Sequence, residues 1–223
     1  MTKVCLVYNL GLIDYQEAAE LQERLLTSRK SGAISDVLLL LQHPPVFTIG
    51  RSGKAEDVIV SEESLARENI PIYRTSRGGE VTYHGPGQLV GYPILHLRED
   101  GLTVHQLVWN LEEVIIRTLM DFGIGSQRVP KLRGVWVGEE KICSLGLRIS
   151  REVSMHGFSL NVNTDLKYFT YIVPCGISDA SITSVSKLLG HEVTIEEVEE
   201  KLLQHFSQVF NLELERRGGL PNA

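Results

Sequence analysis

Cys175 lies in the turn-like segment VPCGI, residues 173–177. A cysteine that follows proline and precedes glycine sits where a side chain can be exposed and where neighbouring N–H groups can point at a ligand. As a thiolate it would be a reactive nucleophile. The competing reading is a small buried hydrophobe, the usual state of a free cysteine. Cys5 and Cys143 fall inside strand-like runs and read as core residues. Lys141 opens the segment EEKICSLGLRIS, 139–150. As a strand, that segment puts Lys141, Cys143, Leu145, Leu147 and Ile149 on one face. A lysine heading an apolar face either snorkels out at the strand end or is partly desolvated, with a lowered pKa and the ability to take a proton near neutral pH. His84 and His156 are candidate bases or thiol partners, with a structural hydrogen bond as the alternative for each.

A second concentration of polar groups is RGGEVTYHGPGQLVGYPI, residues 77–94, with five glycines and two prolines. It lacks GxxxxGK[ST] and GxGxxG, so it is not a phosphate cradle of either common kind. Glycine costs conformational entropy on folding, so the cluster needs a reason: a string of turns, or a backbone that something approaches closely. A plain turn does not need Arg77, His84 and Gln88 together. Glu80 is expected to be solvated.

The elements that must position these groups read as follows. Residues 3–9 predict a strand, and Asp14 with Glu17 resembles a capping box for a helix to about Lys30. The run DVLLLLQ, 36–42, fits a strand buried on both faces. Another strand is expected near 46–49, a short helix from Ser61, and strands at 71–75 and 88–97. Thr103 with Gln106 caps a helix that stops near Gly123, and Thr194 with Glu197 caps a C-terminal helix. From 134 to 163 three strands are expected, with a bulge at His156–Gly157 where the apolar alternation changes phase. The expectation is a single domain over 1–215, α/β of the α+β type, a mixed β-sheet flanked by helices. Residues 216–223 are expected to form a loose tail.

Composition narrows the class. The chain has 223 residues and a formal net charge of −6, which argues against a non-specific nucleic-acid binder. Three widely spaced cysteines suit a reducing compartment, and none has structural-zinc spacing. No signal peptide or membrane helix is read, so the expected location is cytoplasmic.

The segments RGGEVTYHGPGQLVGYPI, GVWVGEEKICSLG, HGFSLNVN and PCGI occur in the order and at the spacing of the bacterial lipoyl(octanoyl) transferase family, which this chain resembles from about residue 6 to 190. HPPVFTIGR and DYQEA fit as well. The resemblance implies the fold of biotin and lipoate protein ligases. It implies octanoyl or lipoyl transfer from acyl carrier protein to a lysine of apo-lipoyl domains, on E2 subunits of 2-oxoacid dehydrogenases and on the glycine cleavage H protein. This would be the first step of endogenous protein lipoylation. The acyl group arrives on a phosphopantetheine arm, so no ATP, metal or other cofactor is expected, and neither nucleic acid nor membrane is a partner. A monomer is expected. By the resemblance the acyl-thioester nucleophile falls on Cys175 and the acid/base on Lys141. The substrate-lining segments fall on Arg77, Gly78, Gly79, Glu80, Val81, Thr82, Tyr83 and His84, on Ser144, Leu145 and Gly146, and on Gly157, Phe158 and Ser159. The glycines would let the acyl chain pass close to backbone. This chain departs from the family at Cys143, Ser144 and Ser159, where alanines are common. An ATP-dependent ligase, a cysteine hydrolase using His84 or His156, and a non-catalytic carrier-binding module are the competing classes.

Overall fold

The computed structural model describes residues 3–173 and 181–221. In chain order they form β1 (Lys3–Leu12), α1 (Tyr15–Lys30), β2 (Asp36–Gln42), β3 (Val46–Ile49), α2 (Glu62–Glu68), β4 (Ile72–Arg74), β5 (Val81–His84) and β6 (Gln88–Ile94). There follow α3 (Val104–Met120), β7 (Gln127–Val129), β8 (Leu132–Val137), β9 (Glu140–Ser150), β10 (Val153–Asn161), β11 (Ser181–Ile182), α4 (Val185–Leu189), α5 (Ile195–Phe210) and β12 (Leu212–Arg217). The helix starts follow the expected caps: Asp14 accepts from the N–H groups of Gln16 and Glu17, and Thr103–Gln106 and Thr194–Glu197 form reciprocal boxes.

The main sheet has the order β12-β1-β2-β6-β10-β9-β8-β7, with β11 added alongside β9. It is mixed: β1 runs parallel to β2 and β12, and β11 parallel to β9, while the other pairs are antiparallel. Helices cover both faces. Ala18, Leu21, Leu25 and Leu26 of α1 pack with Val37, Leu39 and Leu41 on one side. Leu107, Leu111 and Ile115 of α3 and Leu202 and Phe206 of α5 pack with Leu38 and Leu40 on the other. The unbroken apolar run of β2 is therefore explained by burial of both faces. A smaller sheet, β4-β3-β5, closes over its own core of Phe47, Ile49, Val81, Tyr83 and Phe169.

Three expectations change. The β10 register against β9 runs without a shift from Val153 to Leu160, so there is no bulge at His156–Gly157. The apolar residues change face because the covering changes: Val153 and Met155 meet the α1 layer, whereas Phe158 and Leu160 meet the α3/α5 layer. What is unusual there is the backbone of His156, at φ 57°. Second, the loose tail begins later than residue 216, because Arg216 and Arg217 pair with Val7 and Tyr8 at the edge of the sheet. Their charge suits an edge strand. Third, the glycines of the 77–94 stretch and their partners are occupied by the protein itself. A Cβ on Gly91 would overlap the Phe158 ring, and one on Gly157 would overlap the Gly91 carbonyl. A Cβ on Gly87 would lie 2.7 Å from the Asn163 carbonyl carbon, and one on Gly146 would lie 2.9 Å from the Gly78 carbonyl oxygen. At Gly87, Gly146 and Gly157 the missing Cβ lets backbones approach one another, and at Gly91 it admits the Phe158 ring; Gly79, Gly146 and Gly157 also line the cavity between the two sheets.

Gly157→Ala is therefore expected to lower stability by about 1–3 kcal/mol, the usual cost of overpacking. Gly125→Ala, where a Cβ meets open space, is expected to be near neutral. Urea midpoints of the two variants check this; equal midpoints would remove the packing role of Gly157.

Candidate active site

The two sheets meet at a cavity of about 260 Å³, near the lower end of small-molecule sites. Its floor is the β9–β10 pair, where Ser144 faces Ser159 and Gly146 faces Gly157. Its opposite wall is the loop and strand from Arg77 to His84, and Tyr15 of α1, Tyr92 of β6, Phe169 and Ile182 complete it. The loop is held by Arg77, which is 8% exposed. Its guanidinium donates to the Thr48 carbonyl at 2.7 Å, to the Thr48 hydroxyl at 3.0 and 3.2 Å, and to the Glu80 carbonyl at 2.7 Å. Gly78 N–H donates to the Leu147 carbonyl at 2.9 Å, which lays the loop on β9.

Lys141 is buried at 5% exposure, with Nζ 4.9 Å from the centroid of the Trp136 ring. The β8–β9 ladder shifts register between Val135 and Trp136, opposite Cys143 and Lys141. Strict alternation fails at that step. Lys141 lines the cavity, while Cys143 is fully buried in the α3 layer. The expected shared face therefore begins at Cys143, not at Lys141. The Lys141 carbonyl accepts from Thr183 N–H at 3.0 Å and pairs through β11, so the chain returning at residue 181 runs beside this lysine. On the other flank, Val173 N–H donates to the Asp57 carbonyl at 2.8 Å. Cys175 lies between, outside the described residues.

The histidines and Tyr92 in and behind the wall are neutral. His84 donates from Nδ1 to Gln88 Oε1 at 2.7 Å, and its ring stacks on Tyr15 at 6.2 Å between centroids. Burial, then the neighbouring His43, holds its pKa well below 6.5. Burial pushes His43 down to about 4 and His156 down to about 3, the latter reinforced by Arg77 and Arg148. His43 Nδ1 pairs with the Ile13 carbonyl and its Nε2 with the Tyr92 hydroxyl, each at 2.8 Å. Burial raises the Tyr92 phenol well above 10, so it stays a donor. No cluster of three or more His, Cys, Asp or Glu side chains suited to a metal occurs among the described residues.

Residues 14–207 match the lipoyl protein ligase A/B catalytic domain. The chain belongs to that family. Within it, an octanoyltransferase of Solibacter usitatus is 51% identical over 94% of this chain and 94% of its own. An octanoyltransferase of Caldicellulosiruptor saccharolyticus is 48% identical over 90% and 86%. Among solved structures, a bipartite lipoate protein ligase, described with its E2 lipoyl domain from Thermoplasma acidophilum, superposes with TM-score 0.75 at 19% identity, covering 98% of this chain and 88% of that one. A biotin protein ligase of Aquifex aeolicus gives TM-score 0.51 at 18% identity over 95% and 70%. At these identities both show the shared fold alone.

Against this lipoyl ligase A/B framework, the residues singled out in the sequence separate clearly. Arg77, Gly79, Glu80, Val81, Thr82, His84, Lys141, Ser144, Leu145, Gly146, Gly157, Phe158 and Ser159 all line the one cavity. Gly78 and Tyr83 do not. Gly78 docks on β9, and Tyr83 points into the small-sheet core, stacked on Tyr168 at 4.7 Å. Glu80 is half-buried rather than freely solvated. Cavity residues not singled out from sequence include Tyr15, Ser52, Tyr92, Leu132, Phe169 and Ile182. Tyr15 and Tyr92 adjoin recognised signals, the Asp14 cap and Gly91, but the spacing alone does not aim them inward. Lys131 and Arg133 are exposed at the mouth. Arg148 pairs with Glu23 at 2.5 Å.

The buried histidines link stability to acid. In the unfolded chain each titrates near 6.5, whereas His43 in the folded protein titrates near 4. Its contribution is fully present above pH 6.5 and is lost as pH falls towards 4, roughly 3 kcal/mol for this group alone. The urea midpoint is expected to fall over that window, and to fall less steeply in His43→Gln. Parallel slopes for the two proteins would show that His43 is not the group responsible.

Proposed function

We propose that this chain transfers an octanoyl group from the thioester of an acyl carrier protein to a lysine of a lipoyl domain, with Cys175 carrying the acyl group between them and Lys141 managing the protons. Acyl transfer within protein lipoylation follows from the family and from relatives named octanoyltransferase. A lipoyl-domain acceptor is supported by the same names and by the Thermoplasma ligase, described with its E2 lipoyl domain. The observation that carries the cysteine–lysine reading is the buried amine of Lys141 inside the cavity, on the strand that pairs with Ile182 just beyond the segment holding Cys175.

The chemistry balances without ATP or metal. The Cys175 thiol gives its proton to the Lys141 amine and the thiolate attacks the octanoyl carbonyl. The carrier thiolate leaves and takes the proton back from the Lys141 ammonium. The acceptor lysine, as a neutral amine, then attacks the enzyme thioester. The Cys175 thiolate leaves, and the surplus amine proton passes to Lys141 and on to the thiolate. The amide formed is more stable than the thioester broken.

Intact-mass measurement after mixing with octanoyl-carrier protein is expected to show an octanoyl adduct on wild type and on Cys5→Ala and Cys143→Ala, and none on Cys175→Ala. Both described cysteines are fully buried with thiols raised by that burial, so iodoacetamide should label Cys175 alone in the native protein. Lys141→Ala should move that labelling to higher pH and lose transfer. Lys141→Arg should keep part of the thiolate and lose transfer, because guanidinium does not give up its proton. Labelling of Lys141→Ala with the wild-type profile would sink the pairing, and a requirement for ATP would sink the transferase reading.

Donor docking is the second part. Carrier proteins and lipoyl domains are expected to be acidic, and Arg51, Lys54, Arg74, Lys131, Arg133 and Arg151 are exposed, two of them at the cavity mouth. Arg77 is buried and does not belong to this rim. The second-order rate of enzyme acylation is expected to fall as ionic strength rises, and to fall less in Lys131→Ser/Arg133→Ser. A flat salt dependence in wild type would count against electrostatic docking.

A further inference from the structure

A chain of four buried groups runs from the core to the cavity, and its polarity is set at one end. The Thr183 carbonyl can only accept, so the partner at 3.0 Å is Asn161 Nδ2 and the outward atom of that amide is Oδ1. Gln88 Nε2 donates to this Oδ1 at 3.0 Å and to the Tyr83 carbonyl at 3.2 Å. Two acceptors on one nitrogen fix the Gln88 amide, leaving Oε1 towards His84. His84 Nδ1, at 2.7 Å, must therefore carry the proton. Gln88 and Asn161 are 1% and 4% exposed and Thr183 is fully buried, so water does not compete for these bonds. The ring is also gripped by Tyr15 and by His43, whose centroid lies at 5.6 Å. What remains is Nε2, a lone pair on a residue that lines the cavity, with no hydrogen-bond partner among the described residues.

An acceptor-only nitrogen cannot stabilise a thioester carbonyl or the oxyanion that forms from it. It complements an N–H donor. We propose that His84 Nε2 accepts an N–H of the incoming lysine amine in the second half of the transfer, and that Gln88 and Asn161 are positioning residues that hold His84 in the Nδ1–H form for this purpose. This rests on the octanoyl-transfer reading above. A neutral amine has two N–H groups and one lone pair; engaging an N–H leaves the lone pair to attack the acyl carbon, so the nucleophile is oriented as well as bound. Thr183 also donates its own N–H to the Lys141 carbonyl, so one residue ties the histidine relay to the strand of the lysine.

Two measurements test this. Nitrogen-15 spectra of the histidine-labelled full chain, with His84→Phe used for assignment, report the tautomer directly. Wild type is expected to show His84 protonated on Nδ1 and unprotonated on Nε2, and Gln88→Met to show this pattern lost. Acylation by octanoyl-carrier protein and aminolysis by apo-lipoyl domain are timed separately by intact mass. His84→Phe and Gln88→Met are expected to lower aminolysis relative to acylation, His84→Phe on the order of 100-fold. The retained acylation reports that the variants are folded. A wild-type spectrum with the proton on Nε2 overturns the relay, and equal losses in both halves overturn the role at the amine. Transfer by wild type with no acyl adduct would sink only the acyl-enzyme reading. The amine role would then be decided by whether His84→Phe lowers kcat/KM for the lipoyl domain more than for the carrier.

Discussion

The close approach of backbones across Gly146, Gly157 and Gly91 is the constraint on which the rest of this molecule depends. Gly146 and Gly157 face each other across β9 and β10, and Gly91 lies on the next strand, opposite Phe158. Without side chains on this seam, the Arg77–Gly79 loop can lie on the sheet, with Gly78 bonded to Leu147 and its carbonyl over Gly146. The loop in turn carries β5 and the small sheet. The cavity exists because the seam leaves two sheets close enough to share walls yet short of the side chains that would fill the gap.

Arg77 is the fastener of this arrangement. Its guanidinium donates to the Thr48 carbonyl and to the Glu80 carbonyl, which also accepts from Gly50 N–H, and so ties the loop to β3. Its charge also acts on the neighbouring rings, adding to burial in keeping His84 and His156 neutral. The result is a set of neutral imidazoles and phenols lining the same cavity as Lys141. In a poorly solvated site such separation of roles matters, because an extra buried charge would cost more than a hydrogen bond returns.

The two flanks of the 174–180 segment are tied to different sheets. Val173 is bonded to Asp57 beside the small sheet, and Ser181–Thr183 run along β9 of the large one. The relay from Thr183 through Asn161 and Gln88 then crosses back to β5. The relative placement of the sheets is thus specified by polar bonds as well as by packing, and directional bonds discriminate between nearby arrangements where apolar contacts do not.

Much of this was legible in the chain. The caps at Asp14, Ser61, Thr103 and Thr194 start helices where their side chains find backbone N–H groups, a local requirement that three or four residues carry. The two-sided burial of β2 and the core positions of Cys5 and Cys143 follow from apolar runs. The motif segments brought together Arg77, His84, Lys141, Ser144 and Ser159, which the fold does place around one cavity. Tertiary structure decided the rest, because it depends on what lies across a face rather than along the chain. The phase change in β10 reflects different helices on the two sides, not a bulge. Lys141 leaves the face of Cys143 because β8 shifts register opposite them. The glycines meet partners far away in sequence, Gly87 meeting Asn163 and Gly146 meeting Gly78. The proton on His84 is set by a carbonyl ninety-nine positions further on, through two amides that no local pattern connects.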